Sequence, residues 1–449
     1  MFPLAPIAPI ASSPMPPATR EQPVKTSFPK DKIRVVLMEN IHERAEEILT
    51  SEGFKVERVP KAHEGAKLIE IARNAHVLGI RSQSQVRADV LKACPRLLSV
   101  GCFCIGTNQV DTKQACLAGV PVFNSPFSNT RSVAELTIAE IVALHRRLLD
   151  KSVELHAGKW DKSAAGSHEV RGRTLGIVGY GRIGSQVSVL AESMGMRVIY
   201  FDTLSCLPLG NARPVKTLDD LLAQSDVVTL HVPATKKTEK MIGPLQIAKM
   251  RAGSYIINNA RGGVVNIPAL AGALKSGKLA GAALDVFPEE PSSNAEQFVS
   301  EVRGLNNVIL TPHIGGSTEE AQQSIAEDVA TKLARFVNNG STTGAVNVPQ
   351  VDLPEQDDIG MTEDAGGSGG TTRSKHRHHR ILHFHRNVPG VMSKINSVMA
   401  ELGVNIVGQY LKTNDEVGYV VLDVAPVNAE LISDKLRSIP ETIRVRMLW

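Results

Sequence analysis

The chain has 449 residues against the ~150 of a usual domain, which excludes a single small binding module. A formal charge of +4 is too slight to call for a nucleic acid or another polyanionic partner, and a hydrophobic share of 42% excludes a chain too polar to bury a core. Five cysteines, odd in number and without zinc-ligand spacing, suit free thiols in a reducing compartment and imply no metal site.

Residues 1–30 carry repeated prolines and no basic residue before Arg20. That breaks a signal-peptide apolar run and makes a poor transit helix, so they read as a disordered tail. No window reaches the ~18 apolar residues of a membrane span, and the reading is cytoplasmic. Ordered structure should start with a strand over 33–38 and a helix over 42–51, followed by buried strands over 56–59, 77–80 and 97–101. A long helical pattern covers 133–149. A second series of strands follows at 175–179, 198–201, 227–231, 255–258, 282–286 and 308–310, which predicts an α/β protein with a Rossmann-type parallel sheet.

Residues 350–378 read as a flexible linker because 354–375 lack the apolar surface to fold. The basic run from Arg373 to Arg380 reads as the solvated end of that linker. Beyond it, strands over 381–384, 404–411, 418–424 and 443–447 interleave with helices over 391–402 and 429–437. The order βαββαβ predicts a ferredoxin-like regulatory or assembly domain.

Gly179-Tyr180-Gly181-Arg182-Ile183-Gly184 is a GxGxxG between an apolar strand and a helix. Gly179 permits the tight turn, Gly181 lets backbone approach a pyrophosphate, and Gly184 lets helix and strand pack closely. The helix start then offers unpaired N–H groups to phosphate. Asp202 ends the next strand, where a carboxylate accepts ribose hydroxyls and repels a 2′-phosphate, so NAD is the expected cofactor rather than NADP.

Hydride transfer from a secondary alcohol needs a base for the hydroxyl proton and a cation for the neighbouring carboxylate. Arg261, Glu290 and His313 each follow a strand end, where open α/β sheets place ligands. A carboxylate bonded to the imidazole would fix its tautomer and stabilise the imidazolium, while the guanidinium could grip a substrate carboxylate. Singly, the three also read as a surface ion pair, a solvated loop charge and a buried hydrogen-bonder, and spacing alone leaves both readings open.

The blocks Asn259-Ala260-Arg261-Gly262-Gly263, Asp285-Val286-Phe287-Pro288-Glu289-Glu290-Pro291 and Thr311-Pro312-His313-Ile314-Gly315-Gly316 resemble the signatures of D-2-hydroxyacid dehydrogenases. The resemblance runs from about residue 33 to 449 and includes a carboxy-terminal ACT domain. It implies catalytic roles for Arg261, Glu290 and His313, and NAD contacts at Arg182, Ile183, Asp202, Asn259, Ala260, Asp285, Ile314, Gly315 and Gly316. It implies substrate contacts at Arg81, Ser82 and Asn129, with Gln83 where some relatives carry a second Arg, and Asn266 capping a helix where relatives have Asp.

By the same resemblance the substrate is 3-phospho-D-glycerate, with 2-oxoglutarate as a second acceptor, and L-serine is an effector held by His385, Asn387 and Asn405. Val388 stands where Arg is common. The alternatives are an unphosphorylated D-2-hydroxy acid or an NAD-sensing corepressor-like protein. The implied organisation is a flavodoxin-like substrate domain over 31–126 and 312–349, a nucleotide domain over 127–311 and an ACT domain over 379–449. The implied assembly is a homo-oligomer, a tetramer.

Overall fold

The computed structural model describes residues 29–291, 296–353, 378–425 and 428–448. The expected tail and linker fall almost wholly outside them. At their described margins, Lys30 bonds Glu52 across 3.2 Å, and Val351 and Leu353 are packed into a core.

Among the described residues three sheets form. The first runs through β1 (Arg34–Met38), β2 (Lys55–Val59), β3 (Val77–Ile80), β4 (Ser99–Cys102) and β5 (Val122–Asn124), all parallel in the order β2-β1-β3-β4-β5. β3, β4 and β5 are buried along their whole length, as expected of strands covered on both faces, whereas the edge strand β2 is largely open. The expected strand over 97–101 starts two residues later, and β5, only three residues long, is an addition to the expected set.

The second sheet holds β6 (Thr174–Val178), β7 (Arg197–Phe201), β8 (Arg213–Pro214), β9 (Val227–Leu230), β10 (Ser254–Asn258), β11 (Leu279–Leu284) and β12 (Val308–Leu310). Its order is β12-β11-β10-β9-β6-β7-β8, so the winding reverses between β6 and β9, and the carboxyl ends there form the crevice that binds ligands in doubly wound folds. Seven strands replace the expected six, because β8 is a two-residue edge element. The long helix expected over 133–149 is two helices, Thr130–Arg146 and Leu148–His156, broken where Arg147 takes a left-handed φ of 49°.

After β12 the chain passes His313 and enters the helix Glu319–Asn339, which returns to the first sheet. Thr318 caps it by accepting the Ala321 amide. Ile325, Val329, Leu333, Phe336 and Val337 recur at helical spacing and bury one stripe against Phe103 and Phe123.

The third sheet is antiparallel: β13 (His379–Arg386), β14 (Ile406–Thr413), β15 (Val417–Val424) and β16 (Thr442–Leu448), in the order β14-β15-β13-β16. One face packs on the helices Val391–Glu401 and Ala429–Arg437 through Ile381, Val420, Leu422 and Val445. The alternate residues Leu382, Phe384, Tyr419 and Val421 join the core of the first sheet. Both faces are therefore covered, which is why β15 is buried along nearly all its length.

Polar groups fix that docking. Tyr419 Oη donates to the Gly340 carbonyl at 2.6 Å, and Arg446 donates to the Val337 carbonyl. Arg380 makes a two-pronged pair with Asp423 at 2.7 and 2.9 Å and reaches the Asn339 carbonyl. Arg380 is only 2% exposed, which corrects the reading of the basic run at its last member. The arginine is a strand residue held by a carboxylate rather than a solvated linker end, and 373–377 lie outside the described residues.

Candidate functional site

The GxGxxG turn forms where β6 ends. Gly179 has φ 92°, and a Cβ there would stand 2.5 Å from the His231 carbonyl oxygen; one on Gly184 would strike the Gly179 carbonyl. A Cβ on Gly181 would meet nothing within 4 Å, so space is open where a pyrophosphate has to approach. Arg182 and Ile183 begin the helix Arg182–Ser193, whose amide ends face that turn, and the Arg182 guanidinium lies 3.8 Å over the Phe127 ring.

Asp202 follows β7. Its carboxylate accepts the Tyr180 amide at 2.7 Å and the Leu204 amide at 2.9 Å. The acidic group expected at the ribose thus also braces the glycine turn. The close-packed glycines, the open space at Gly181 and this carboxylate fit an NAD molecule.

At the end of β10, Asn258 shapes the next turn: its amide donates to the Arg261 carbonyl and its side-chain oxygen accepts the Ala260 amide. Arg261 is thereby presented half-buried at the crevice. Asn259 points into the protein, donating to Glu140 at 2.7 Å and Thr137 at 3.1 Å. Burial pushes the Glu140 carboxyl up to about 8, against the lowering effect of the Asn259 bond.

Asp285 follows β11 and gathers the turn that carries His313. Its carboxylate accepts Ile314 N at 2.8 Å, Gly315 N at 2.7 Å and Thr311 Oγ1 at 2.6 Å, and its carbonyl accepts His313 N at 2.9 Å. His313 has φ 56°, a left-handed backbone that a histidine adopts rarely. Gly316 lies against Asn129, so close that a Cβ on it would strike the Asn129 amide nitrogen.

The structure brings Arg261, Glu290 and His313 together. His313 Nδ1 and Glu290 Oε2 are 2.9 Å apart, and the other Glu290 oxygen accepts the Phe287 amide at 3.1 Å. The Glu290 hydrogen bond and charge, with Asp285 behind, raise the imidazole's pKa over the opposing effects of burial and Arg261. Burial alone would raise the Glu290 carboxyl, but the bonds from His313 and Phe287 and the charges of His313 and Arg261 outweigh it, and its pKa falls. With Nδ1–H given to the carboxylate, Nε2 is the nitrogen free to take a proton.

Arg81 and Ser82 lie at the carboxyl end of β3, in the other parallel sheet. Among the described residues neither bonds to Arg261, Glu290 or His313. Their loop is instead held by Glu39 and Gln109, which sequence reasoning missed, as it missed Glu140 and Asn258. The one available signal was an acidic residue closing β1 at its carboxyl end.

In the third sheet, His385 bonds the Arg386 carbonyl and keeps a buried Nε2 with no partner, and Asn387 donates to the Asn414 carbonyl at 2.7 Å. Asn405 sits at the opposite end: the adjacent Ile406 pairs with Val424, which pairs with His379, six strand residues or about 20 Å from His385. Within one chain these residues do not meet. Asn266 does cap the helix Ile267–Lys275, accepting the Ala269 amide at 3.0 Å.

Residues 138–315 match the D-isomer specific 2-hydroxyacid dehydrogenase NAD binding domain, and residues 381–444 match an AHAS small subunit-like ACT domain. The chain is 48% identical over 426 residues to D-3-phosphoglycerate dehydrogenase of Haemophilus influenzae, covering 95% of this chain and 99% of that one. It is 47% identical over 428 residues to the Escherichia coli enzyme of the same name, covering 95% and 100%. Among solved structures it is similar to the TT0316 protein of Thermus thermophilus, with TM-score 0.63, 30% identity and coverage of 70% and 99%. It is also similar to the D-lactate dehydrogenase of Aquifex aeolicus complexed with NAD and lactic acid, with TM-score 0.60, 28% identity and coverage of 68% and 96%.

Proposed function

The chain belongs to the D-isomer specific 2-hydroxyacid dehydrogenases, an NAD-dependent family, and from that premise we propose that it oxidises 3-phospho-D-glycerate to 3-phosphohydroxypyruvate, the first step of L-serine synthesis. The observation that carries the chemistry is the His313–Glu290 pair at 2.9 Å with Arg261 beside it. His313 Nε2 takes the proton of the substrate hydroxyl. Glu290 holds the ring through Nδ1–H and stabilises the imidazolium that forms. Arg261 grips the carboxylate and the oxygen that becomes a carbonyl. NAD, held by the turn over 179–184 and Asp202, would supply the acceptor for the hydride that leaves the carbon bearing that hydroxyl.

We read 31–126 and 312–349 as the substrate domain, 127–311 as the NAD domain and 379–449 as the regulatory domain. Arg81, Ser82 and Asn129 meet the substrate's anionic groups. L-serine binds where His385 and Asn387 of one subunit approach Asn405 of another, a reading favoured by their separation within one chain. A homo-oligomer, a tetramer, suits the helix Leu148–His156, which buries no residue and leaves Leu148, Leu149, Val153 and Leu155 open. Among the described residues no helix is long and apolar enough to cross a membrane, and we place the protein in the cytoplasm.

The test is the initial rate of NADH consumption with 3-phosphohydroxypyruvate, hydroxypyruvate, glyoxylate and 2-oxoglutarate, each with and without L-serine. The phosphorylated acid should be turned over with the highest kcat/KM, and serine should slow it. Turnover of hydroxypyruvate or glyoxylate with none of the phosphorylated acid would overturn the substrate. NADH binding without any turnover would overturn the enzyme.

A further inference from the structure

Glu39 closes β1 with φ 60°, and Asn40 follows with φ 50°. Two successive left-handed residues, neither of them glycine, are unusual backbone; Asn40 is exposed, while Glu39 is buried. The Glu39 carboxylate is what this bend delivers. One of its oxygens accepts the Arg81 amide at 3.2 Å and the Ser84 amide at 2.8 Å, and the other accepts the Gln83 amide at 2.9 Å.

From the other side, Gln109 Nε2 donates to the Arg81 carbonyl at 2.6 Å. Gln109 is itself buried, and its Nε2 also reaches the Gly106 carbonyl. Ser84 Oγ accepts the His63 amide at 3.2 Å, tying down the loop's far end. None of these bonds uses the Arg81 guanidinium or the Ser82 hydroxyl. The backbone of 81–84 is therefore fastened on both sides while the side chains that would meet an anion are left unspent.

We propose that Glu39 is a positioning residue for substrate binding: by collecting the amides of Arg81, Gln83 and Ser84 it fixes the loop that presents Arg81 and Ser82 to the substrate's anionic end. The proposal rests on the reading of Arg81 as a substrate contact. A buried carboxylate bonded to three N–H groups is rigid, and a loop ordered in advance spares the substrate the cost of ordering it. Its effect falls on substrate affinity, since Glu39 touches neither the His313 cluster nor the glycine turn.

The test is steady-state kinetics of Glu39→Gln, Glu39→Asp and Arg81→Ala in the full chain, with 3-phosphohydroxypyruvate and NADH. Glutamine places an NH2 donor against amides that need an acceptor, so Glu39→Gln should raise KM for the phosphorylated acid about tenfold, with kcat within about threefold and KM for NADH within about twofold. Glu39→Asp keeps both acceptor oxygens on a shorter arm and should recover part of the loss. Should Glu39→Gln fail to fold, the same KM criterion applied to Glu39→Asp decides.

Unchanged KM in the Glu39 variants while Arg81→Ala raises it would overturn the proposal and leave the substrate reading standing. Unchanged KM in Arg81→Ala would overturn that reading and the proposal with it. A parallel loss of NADH affinity and melting temperature in Glu39→Gln would make Glu39 a general structural residue, which also overturns the proposal.

Discussion

Glu290 and His313 stand 23 residues apart in the chain and 2.9 Å apart in space, one after β11 and the other after β12. The two strands are neighbours in the sheet, and Asp285 between them holds the histidine turn through three accepted bonds and a backbone contact. The pairing is thus a property of the sheet edge rather than of either loop alone.

A pH prediction follows from the direction of the imidazole shift. Glu290 raises the His313 pKa, so His313 stays protonated to higher pH than a free histidine. Alcohol oxidation needs the neutral ring and should rise as pH passes that raised value, while keto-acid reduction should fall there. In Glu290→Gln the acid limb of the oxidation profile should move to lower pH, and the plateau should drop by on the order of tenfold to a hundredfold. Profiles of kcat/KM for both proteins check this; an unmoved limb would mean that Glu290 does not set the titration.

Asp202 should decide between the two nicotinamide cofactors. Asp202→Asn keeps an oxygen for the Tyr180 amide and removes the charge that repels a 2′-phosphate. The ratio of kcat/KM with NADP to that with NAD should rise at least about tenfold. A ratio that stays put would place the ribose elsewhere.

Glu140 gives a stability prediction with a definite sign. Burial raises its folded-state pKa from an ordinary carboxyl value to about 8, so the stabilisation is complete below the usual carboxyl range and is lost as pH climbs towards 8. Glu140→Gln retains an acceptor for Asn259 and cannot ionise. Its melting temperature should therefore gain on the wild type steadily from pH 5 to about pH 8 and level off by pH 9. Parallel melting curves across that range would show that Glu140 does not titrate in this way.

Much of this architecture was legible in the chain because it rests on local sterics. Gly179 and Gly184 are demanded by backbone approach, and the apolar runs of β3, β6 and β9 follow from burial on both faces. Other features were not. β5 and β8 have three and two residues, too short for any periodicity to show. Arg147 carries a left-handed turn without being glycine or asparagine, so the helix break had no marker. Glu39 and Glu140 matter through partners more than 40 and more than 100 residues away, which no spacing rule reveals. Arg380 looked like part of a solvated run until Asp423, on the paired strand, was brought opposite it.

The most direct measurement is turnover of 3-phosphohydroxypyruvate by His313→Gln at saturating NADH, with NADH affinity followed by its fluorescence. The predicted result is a fall in kcat of about 10²–10⁴ with NADH affinity within about twofold of the wild type. A variant that keeps its rate within about threefold would contradict His313 as the proton-transferring group.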